Sequence, residues 1–115
     1  MDLPVQITLR NLSHSPALEQ TVRERAAWLE RFHPHLVSCR VVVEQAGRHA
    51  TKGRQFVVRI DLKVPGGEIA VDHQHDADVA IAVREAFAAA RRRLEDAIRM
   101  RRGDVKLHHS ASAKT

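Results

Sequence analysis

The stretch 78–106 reads DVAIAVREAFAAARRRLEDAIRMRRGDVK and decides most of the fold. Its apolar residues recur at steps of three or four, the spacing of one face of a long α-helix. These residues are Val79, Val83, Phe87, Ala90, Leu94 and Ile98. Asp78 suits the N-cap, because its carboxylate can accept from free amides of the first turn, and Gly103 suits a left-handed residue after the last turn. The stretch predicts a helix that covers a core.

The same stretch carries most of the positive charge of the chain. From Arg84 to Lys106 eight basic residues stand against four acidic ones, a local net charge of +4 within a total of +5. The basic residues are Arg84, Arg91, Arg92, Arg93, Arg99, Arg101, Arg102 and Lys106. A pI near 10.3 predicts attraction to polyanions, and the planar guanidinium donates two parallel hydrogen bonds to phosphate. A nucleic-acid surface is favoured; a merely solvated helix face is the alternative.

Upstream, apolar residues alternate with polar ones, which is typical of strands with one buried face. Four such runs centre on Ile7, Val41, Ile60 and Val71, and Pro65, Gly66 and Gly67 form the turn before the last. Between the first two runs, Ser15 and Pro16 begin a helix that Pro34 ends. Its predicted buried face is Leu18, Val22, Ala26, Leu29 and Phe32. The fold class is α+β: a two-layer sandwich in the order β-α-β-β-β-α, with two helices packed on one face of a four-stranded mixed sheet.

Length and composition predict one domain at 1–107, followed by a flexible C-terminal tail at 108–115. The single cysteine, Cys39, excludes an internal disulfide and alternates with core valines, so it is predicted to be a small buried hydrophobe. The sequence shows neither an export signal nor a membrane-spanning run. We therefore expect a cytoplasmic protein that does not bind membranes.

The chain resembles the ribosome hibernation-promoting factors, also called ribosome-associated translation inhibitors, whose domain has the same element order. The resemblance rests on an ordered set of segments. These are AWLERF at 27–32, VVVE at 41–44, GGEI at 66–69, Asp78 at the helix start, and RRRL at 91–94. Well-known members often carry an aromatic residue shortly after that aspartate, whereas Val79, Ala80 and Ile81 follow it here. Only a dozen residues follow Gly103, so we expect the short form of the family.

The resemblance implies a partner and a mode of action. Members of the family bind the small ribosomal subunit near its decoding centre and block the path of messenger RNA and transfer RNA. The residues themselves indicate only the partner class, because a rigid basic face fits RNA phosphates without reading base edges. The expected function is therefore ribosome hibernation by steric occlusion, with the small ribosomal subunit and its rRNA as partners and a monomer when free.

The basic residues of the second predicted helix are the leading candidates for RNA contact, and the first helix and one loop add others. The candidate RNA-binding residues are Arg84, Arg91, Arg92, Arg99, Arg101, Arg102, Lys106, Arg23, Arg31, Arg48, Lys52 and Arg54. Helical periodicity places Arg92 and Arg99 on the outer face and Arg93 on the opposite flank from Arg84 and Arg91. The acidic residues Glu95 and Asp96 interrupt this surface and are spaced to pair with Arg91, Arg92 or Arg99.

Aromatic stacking on bases is not expected. The three phenylalanines, Phe32, Phe56 and Phe87, fit core positions, and Trp28 fits the edge of the core. Phosphate and shape recognition remain, which predicts strongly salt-dependent binding.

Enzymatic activity is not predicted. His73, His75, Asp76 and Asp78 lie close together, but histidines paired in a turn are more often plain polar residues than metal ligands. A hydroxyl and an imidazole adjacent in sequence at 13–15 are not thereby aligned for nucleophilic catalysis. We expect no catalytic residues, no metal, no cofactor and no small-molecule substrate.

Two other functions fit the same composition. A regulatory module could bind an acidic protein, such as a transcription factor, through the same arginines. A double-stranded RNA-binding domain is also α+β with a basic helix, but such domains begin with a helix, whereas a strand comes first here. Competition by ribosomes or RNA would separate the first alternative from ribosome binding.

Overall fold

A computed structural model describes residues 3–46, 55–75 and 78–101 of the chain. Six elements follow one another in the order β-α-β-β-β-α, which confirms the predicted fold class. Their bounds are β1 Val5–Arg10, α1 Pro16–Phe32, β2 Ser38–Ala46, β3 Gln55–Val64, β4 Gly67–His75 and α2 Val79–Arg101.

The four strands form one mixed sheet whose spatial order equals their chain order, β1-β2-β3-β4. β1 runs parallel to β2, with Val5 opposite Cys39, so α1 is the crossover between them. β3 and β4 are antiparallel to their predecessors, and Val64 lies opposite Gly67 at the tight turn between them. The sheet therefore combines one βαβ unit with two antiparallel pairings.

Local chemistry explains where α1 begins and ends. Ser15 has extended backbone angles (φ −137°, ψ 101°), and its hydroxyl accepts a hydrogen bond of 3.2 Å from the amide of Leu18. Pro16 occupies the first helical position, where a missing amide costs nothing. At the other end the amide of His33 donates to Leu29 O at 3.0 Å, just before Pro34. These contacts satisfy backbone groups that the helix ends would leave unpaired.

Asp78 caps α2 in the same way. Its carboxylate oxygen Oδ1 accepts from the amide of Ala80 at 2.8 Å, and its carbonyl accepts from the amide of Ala82 at 3.0 Å. The predicted N-cap is therefore confirmed. The predicted end at Gly103 lies outside the described residues.

Both helices pack on the same face of the sheet. The interior is formed by the inward residues of α1, α2 and the strands. Side chains exposed by 1% or less include Val22, Ala26, Leu29, Val41, Val43, Val58, Ile60, Leu62, Val83, Ala86, Phe87 and Ala90. Cys39 is also buried, as predicted, and burial, followed by the nearby Asp61 carboxylate, raises the pKa of its thiol to about 12.

Two predicted core residues are not in the core. Phe32 is 46% exposed and Ile98 is 38% exposed, although each continues the apolar stripe of its helix. Both lie near the ends of α1 and α2, where the helices face the segment 33–36 and the β3–β4 turn, and both line an open groove there. The stripe is regular, but none of the described elements covers its last residue in either helix.

The other face of the sheet is polar and open. It presents Gln6, Thr8, Arg10, Arg40, Glu44, Arg59, Asp61, Lys63, Glu68 and Asp72. Arg59 lies 3.3 Å from Asp72 and 3.5 Å from Asp61. Four basic residues (Arg10, Arg40, Arg59 and Lys63) balance four acidic ones (Glu44, Asp61, Glu68 and Asp72), so this face has no net charge.

Candidate nucleic-acid interface

The net positive charge of the described residues lies on α2. In α1 three arginines (23, 25 and 31) balance three glutamates (19, 24 and 30), whereas α2 holds six arginines against Glu85, Glu95 and Asp96, a net charge of +3. Because the open face of the sheet is neutral, a polyanion would approach the helical layer.

Two arginines of α2 project freely from this layer. Arg84 and Arg92 are exposed, and neither forms a hydrogen bond or ion pair with any residue in the described ranges. Arg23 and Arg31 of α1 are exposed in the same sense, with no such partner in those ranges. Helical periodicity places Arg92 and Arg31 on the side of each helix away from the sheet. These guanidinium groups are available to phosphate.

Arg99 and Arg91 form the ion pairs that helix spacing predicted. Arg99 donates from Nη2 to the carboxylate of Asp96, three residues earlier. Arg91 donates from Nε to Glu95 Oε2 at 2.9 Å, and this hydrogen bond is the main reason why the pKa of the Glu95 carboxyl lies below its usual value. Both pairs are partly solvent-exposed, so they organise the side chains more than they stabilise the fold.

Arg91 also lies on an aromatic pair contributed by α1. Its guanidinium carbon is 3.7 Å from the ring centroid of Phe32 and 5.6 Å from that of Trp28. The two rings meet edge to face, with centroids 5.4 Å apart and planes at 70°, and Arg25 lies 4.5 Å from the Trp28 centroid. The boundary between the two helices therefore lies beside the basic surface, the set of exposed arginines on α1 and α2.

Sequence reasoning missed this cluster as a surface feature. Trp28 is partly buried against the core, as predicted, whereas Phe32 is not a core residue. The signal available was the spacing of four between the two aromatic residues, which places them on one side of α1. Only the packing of α2 beside α1 shows that this side meets Arg91.

Two further arginines connect α2 to the sheet layer. Arg93 donates to the carbonyl of Ala70 in β4 at 3.2 Å, so it lies on the flank that periodicity predicted. Arg101, a candidate for RNA contact, donates from Nη1 to the carbonyl of Pro65 at 2.7 Å. His73 of β4 meets Glu85 of α2, with Nε2 and Oε1 2.7 Å apart. These contacts fix α2 over the β3–β4 hairpin.

Five candidate residues lie outside the described residues. They are Arg48, Lys52, Arg54, Arg102 and Lys106. Their contact with RNA stays a prediction, as does the tail at 108–115.

An apolar groove of about 570 Å³ opens at the end of the helical layer where both helices finish. Its walls come from the last turns of α1 and α2, the segment 33–36 and the β3–β4 turn. The exposed side chains of Phe32 and Ile98 line it, together with His33 and Arg101. The basic surface and the groove are therefore neighbours.

The described residues show no metal centre and no membrane span. They contain no group of three or more His, Cys, Asp or Glu side chains able to hold a metal ion. Asp76, one of the residues considered for such a site, is not among them. Neither α1 nor α2, the helices of the described part, combines the length and apolar character needed to cross a bilayer.

Comparison with known proteins agrees with this architecture. A family model described as sigma 54 modulation protein / S30EA ribosomal protein matches residues 5–102. A ribosomal subunit interface protein from Coxiella burnetii is similar in structure, with a TM-score of 0.68 and 16% identity over 82% of this chain and 96% of that chain. The Protein Y N-terminal domain of Thermus thermophilus gives a TM-score of 0.67 and 24% identity over 84% of this chain and 98% of that chain.

At these identities the two structures show a shared fold. The family model is the stronger finding, because it extends from β1 to the end of α2. The resemblance to the ribosome hibernation-promoting factors is thereby confirmed, and this chain belongs to the ribosome-associated family of sigma 54 modulation protein / S30EA ribosomal protein.

Proposed function

We propose that this protein binds the small ribosomal subunit through the outer surface of α1 and α2, contacts rRNA there, and sterically blocks messenger RNA and transfer RNA. The observation that carries the proposal is the set of exposed arginines on the helical layer. Arg84, Arg92 and Arg31 have no partner within the described ranges, and they stand on a layer that carries the net charge of the fold. Membership of a ribosome-associated family supports the choice of the ribosome as the polyanion.

The physical mechanism requires only a rigid cationic surface. Each guanidinium that reaches a phosphate releases condensed counterions and donates charge-assisted hydrogen bonds. The packed core and the contacts of Arg93 and Arg101 with the sheet hold α2 in place, so binding needs no ordering of the helix backbone and costs only the rotamer freedom of the exposed side chains. Occlusion then follows from the bulk of the bound domain and needs no catalytic group, cofactor or small-molecule substrate.

Other parts of the proposal follow from the sequence predictions. The binding domain is the segment 1–107, which acts in the cytoplasm and is a monomer when free. Arg48, Lys52 and Arg54 add contacts to a second RNA segment, and Arg102 and Lys106 clamp phosphates as the basic helix docks. The name of one structural neighbour, a ribosomal subunit interface protein, supports a position between the subunits.

Cosedimentation with purified ribosomal subunits tests the proposal. The variant R84Q/R92Q/R99Q removes three charges from the helical surface, and the control R10Q/R40Q/K63Q removes three charges from exposed positions on the open sheet face. We expect saturable binding of wild type to the small subunit. The helical variant should bind at least about tenfold more weakly at 0.1 M salt, with the slope of log K against log salt reduced by roughly two to three.

The sheet-face control should bind like wild type. If both variants lose affinity equally, the chain binds by net charge and has no defined interface. The blocking step is tested separately: small subunits saturated with wild type should retain less transfer RNA on a filter than free subunits. Retention of all the transfer RNA would refute occlusion.

A protein partner is the second candidate, because the description of the family also names sigma 54 modulation. The same arginines would then contact acidic side chains. If wild type stays in the supernatant with both subunits at physiological salt, ribosome binding is excluded and binding to an acidic protein becomes the preferred hypothesis. Addition of an acidic partner at that salt would then shift the sedimentation of wild type but not of R84Q/R92Q/R99Q.

A further inference from the structure

The groove at the end of the helical layer has a wall unlike the rest of the helical surface. Phe32 and Ile98 are 46% and 38% exposed there, although similar side chains earlier in both helices are buried. Leu36 and Ile69 continue the apolar wall from the sheet side. Its volume of about 570 Å³ lies in the range of small-ligand sites. One flat apolar group can therefore pack against the apolar wall of the groove.

The Phe32 ring is held in place before any ligand arrives. Trp28 meets it edge to face, and the Arg91 guanidinium packs at 3.7 Å from its centroid. Arg91 is in turn held by Glu95. A ring fixed from two sides loses little side-chain freedom when a flat partner packs against it. Aromatic and arginine planes are also the groups on which proteins stack unpaired bases.

Polar groups stand at the side of the groove. Nε2 of His33 is buried and has no hydrogen-bond partner among the described residues. Burial is the main cause that lowers the pKa of His33, so its imidazole is neutral near pH 7 and offers one donor and one acceptor nitrogen. Arg101 lines the groove from α2. The Arg101 side chain is exposed, so it is a polar group that a ligand in the groove can reach.

The charges next to the groove argue for a nucleotide. Arg31, which directly precedes Phe32, is exposed and has no partner in the described ranges, and Arg99, which directly follows Ile98, is exposed and paired with Asp96. The lining of the groove itself holds one basic residue, Arg101, and one acidic residue, Glu68. Phosphates on either side of a stacked base would meet the guanidinium groups of Arg31 and Arg99, while the uncharged base enters the apolar groove. The groove also continues the basic surface of the proposed function, so one RNA segment can occupy both.

We propose that the groove beside Phe32 binds a single unpaired nucleobase of RNA, stacked on the phenyl ring. The proposal rests on the proposed function and adds a base-binding pocket to a surface that otherwise contacts phosphates. It also reverses the expectation that this chain lacks a stacking platform, because that expectation placed Phe32 in the core.

The variant Phe32→Leu tests the pocket on the small subunit. It keeps an apolar side chain of similar size and removes the aromatic face, while the control Phe32→Tyr keeps the ring. We expect the leucine variant to bind about 5- to 100-fold more weakly, and the tyrosine variant to bind like wild type. The salt slope of Phe32→Leu should equal that of wild type, because no phosphate contact is lost, in contrast to R84Q/R92Q/R99Q.

Short RNA probes separate a failure of the pocket from a failure of the ribosome assignment. Binding of an adenosine oligonucleotide and of an abasic ribose-phosphate chain of equal length is followed by Trp28 fluorescence at low salt. Wild type should prefer the oligonucleotide, and Phe32→Leu should bind the two probes equally. This result holds or fails whether or not the protein cosediments with small subunits.

Two results would overturn the proposal. One is equal affinity of wild type for the two probes, which would mean that the chain reads phosphates alone. The other is a change in the sedimentation coefficient of the free protein on Phe32→Leu, which would make the groove an interface between copies of the chain. Thermal unfolding of each variant shows whether a loss of binding reflects a loss of fold.

Discussion

Three consecutive arginines in α2 have three different environments. Arg91 packs on Phe32 and pairs with Glu95, Arg92 is exposed, and Arg93 donates to Ala70 O. Each residue turns the side chain by about 100° around the helix axis, so three neighbours face the other helix, the solvent and the edge of the sheet. The residue type is the same, and position on the helix decides the role.

At the same scale, some contacts of the candidate surface could be predicted from the sequence and others could not. The ion pairs of Arg91 and Arg99 follow from helix spacing, because their partners lie three or four residues away. The contact between Arg101 and Pro65 joins residues 36 positions apart, so no local pattern could predict it. The exposure of Phe32 was also hidden, since an apolar stripe does not show where the layer beneath it ends.

His33 gives the protein a pH-dependent element of stability. Burial lowers the pKa of this histidine from its usual 6.5; Glu95 opposes the shift and Arg91 adds to it. The unfolded chain therefore takes up a proton before the folded one as pH falls. The stability associated with neutral His33 is complete above pH 6.5 and declines below it, toward the lowered pKa of the folded state.

We expect His33→Gln to remove this contribution to the pH dependence. Denaturant unfolding of both proteins between pH 7.5 and 5 measures it, and the free energy of unfolding should fall less steeply below pH 6.5 in the variant. The comparison variant His35→Gln changes an exposed imidazole in the same segment, so a general effect of losing one histidine would appear in both. Parallel curves for wild type and His33→Gln would show that burial of His33 is not linked to folding.

At the scale of elements, the helix starts were the most predictable features. Ser15 and Asp78 cap through contacts with residues two or three positions ahead, and such contacts depend on local sequence alone. The strands were equally clear, because alternation marks one buried face. The relative placement of the two helices depends on packing between residues that are distant in sequence. This placement brings Arg91 onto the rings of Trp28 and Phe32 and forms the groove.

The β3–β4 turn shows how one backbone conformation supports a contact between elements. Gly66 has a φ of +88°, which side-chain-bearing residues rarely adopt, and a Cβ there would lie 2.9 Å from Nη2 of Arg101. The turn conformation places Pro65 O where Arg101 donates to it. The glycine therefore serves both the turn and its link to α2.

We expect Gly66→Ala to lower the free energy of unfolding by roughly 1–2 kcal/mol, the cost of a left-handed conformation for an L-residue. The matched control is Gly67→Ala, whose added Cβ would lie 3.9 Å from the same nitrogen, an ordinary contact. The control should change stability by less than about 0.5 kcal/mol. Urea unfolding of wild type and both variants measures these free energies. Equal losses of unfolding free energy in the two variants would contradict the conformational explanation.

At the scale of the whole molecule, the two layers differ in electrostatic character. The open sheet face carries as many acidic as basic residues, whereas α2 carries an excess of three positive charges. Composition gave the total charge, and helical spacing gave its place on α2, but the neutrality of the other face required the strand assignments as well. The partner class was predicted from the sequence and stays a prediction, whereas the groove was found only from the structure.

Arg93 has a consequence for solubility. β4 forms one edge of the sheet, and an edge strand offers unpaired backbone groups on which a strand of another molecule can add. The Arg93 guanidinium donates a hydrogen bond to the carbonyl of Ala70 in that strand and places a positive charge beside the strand. We expect Arg93→Ala to aggregate at concentrations where wild type and Arg92→Ala, which loses the same charge from the outer face, remain dispersed. Light scattering against concentration measures this, and identical curves would mean that the edge is protected by something other than Arg93.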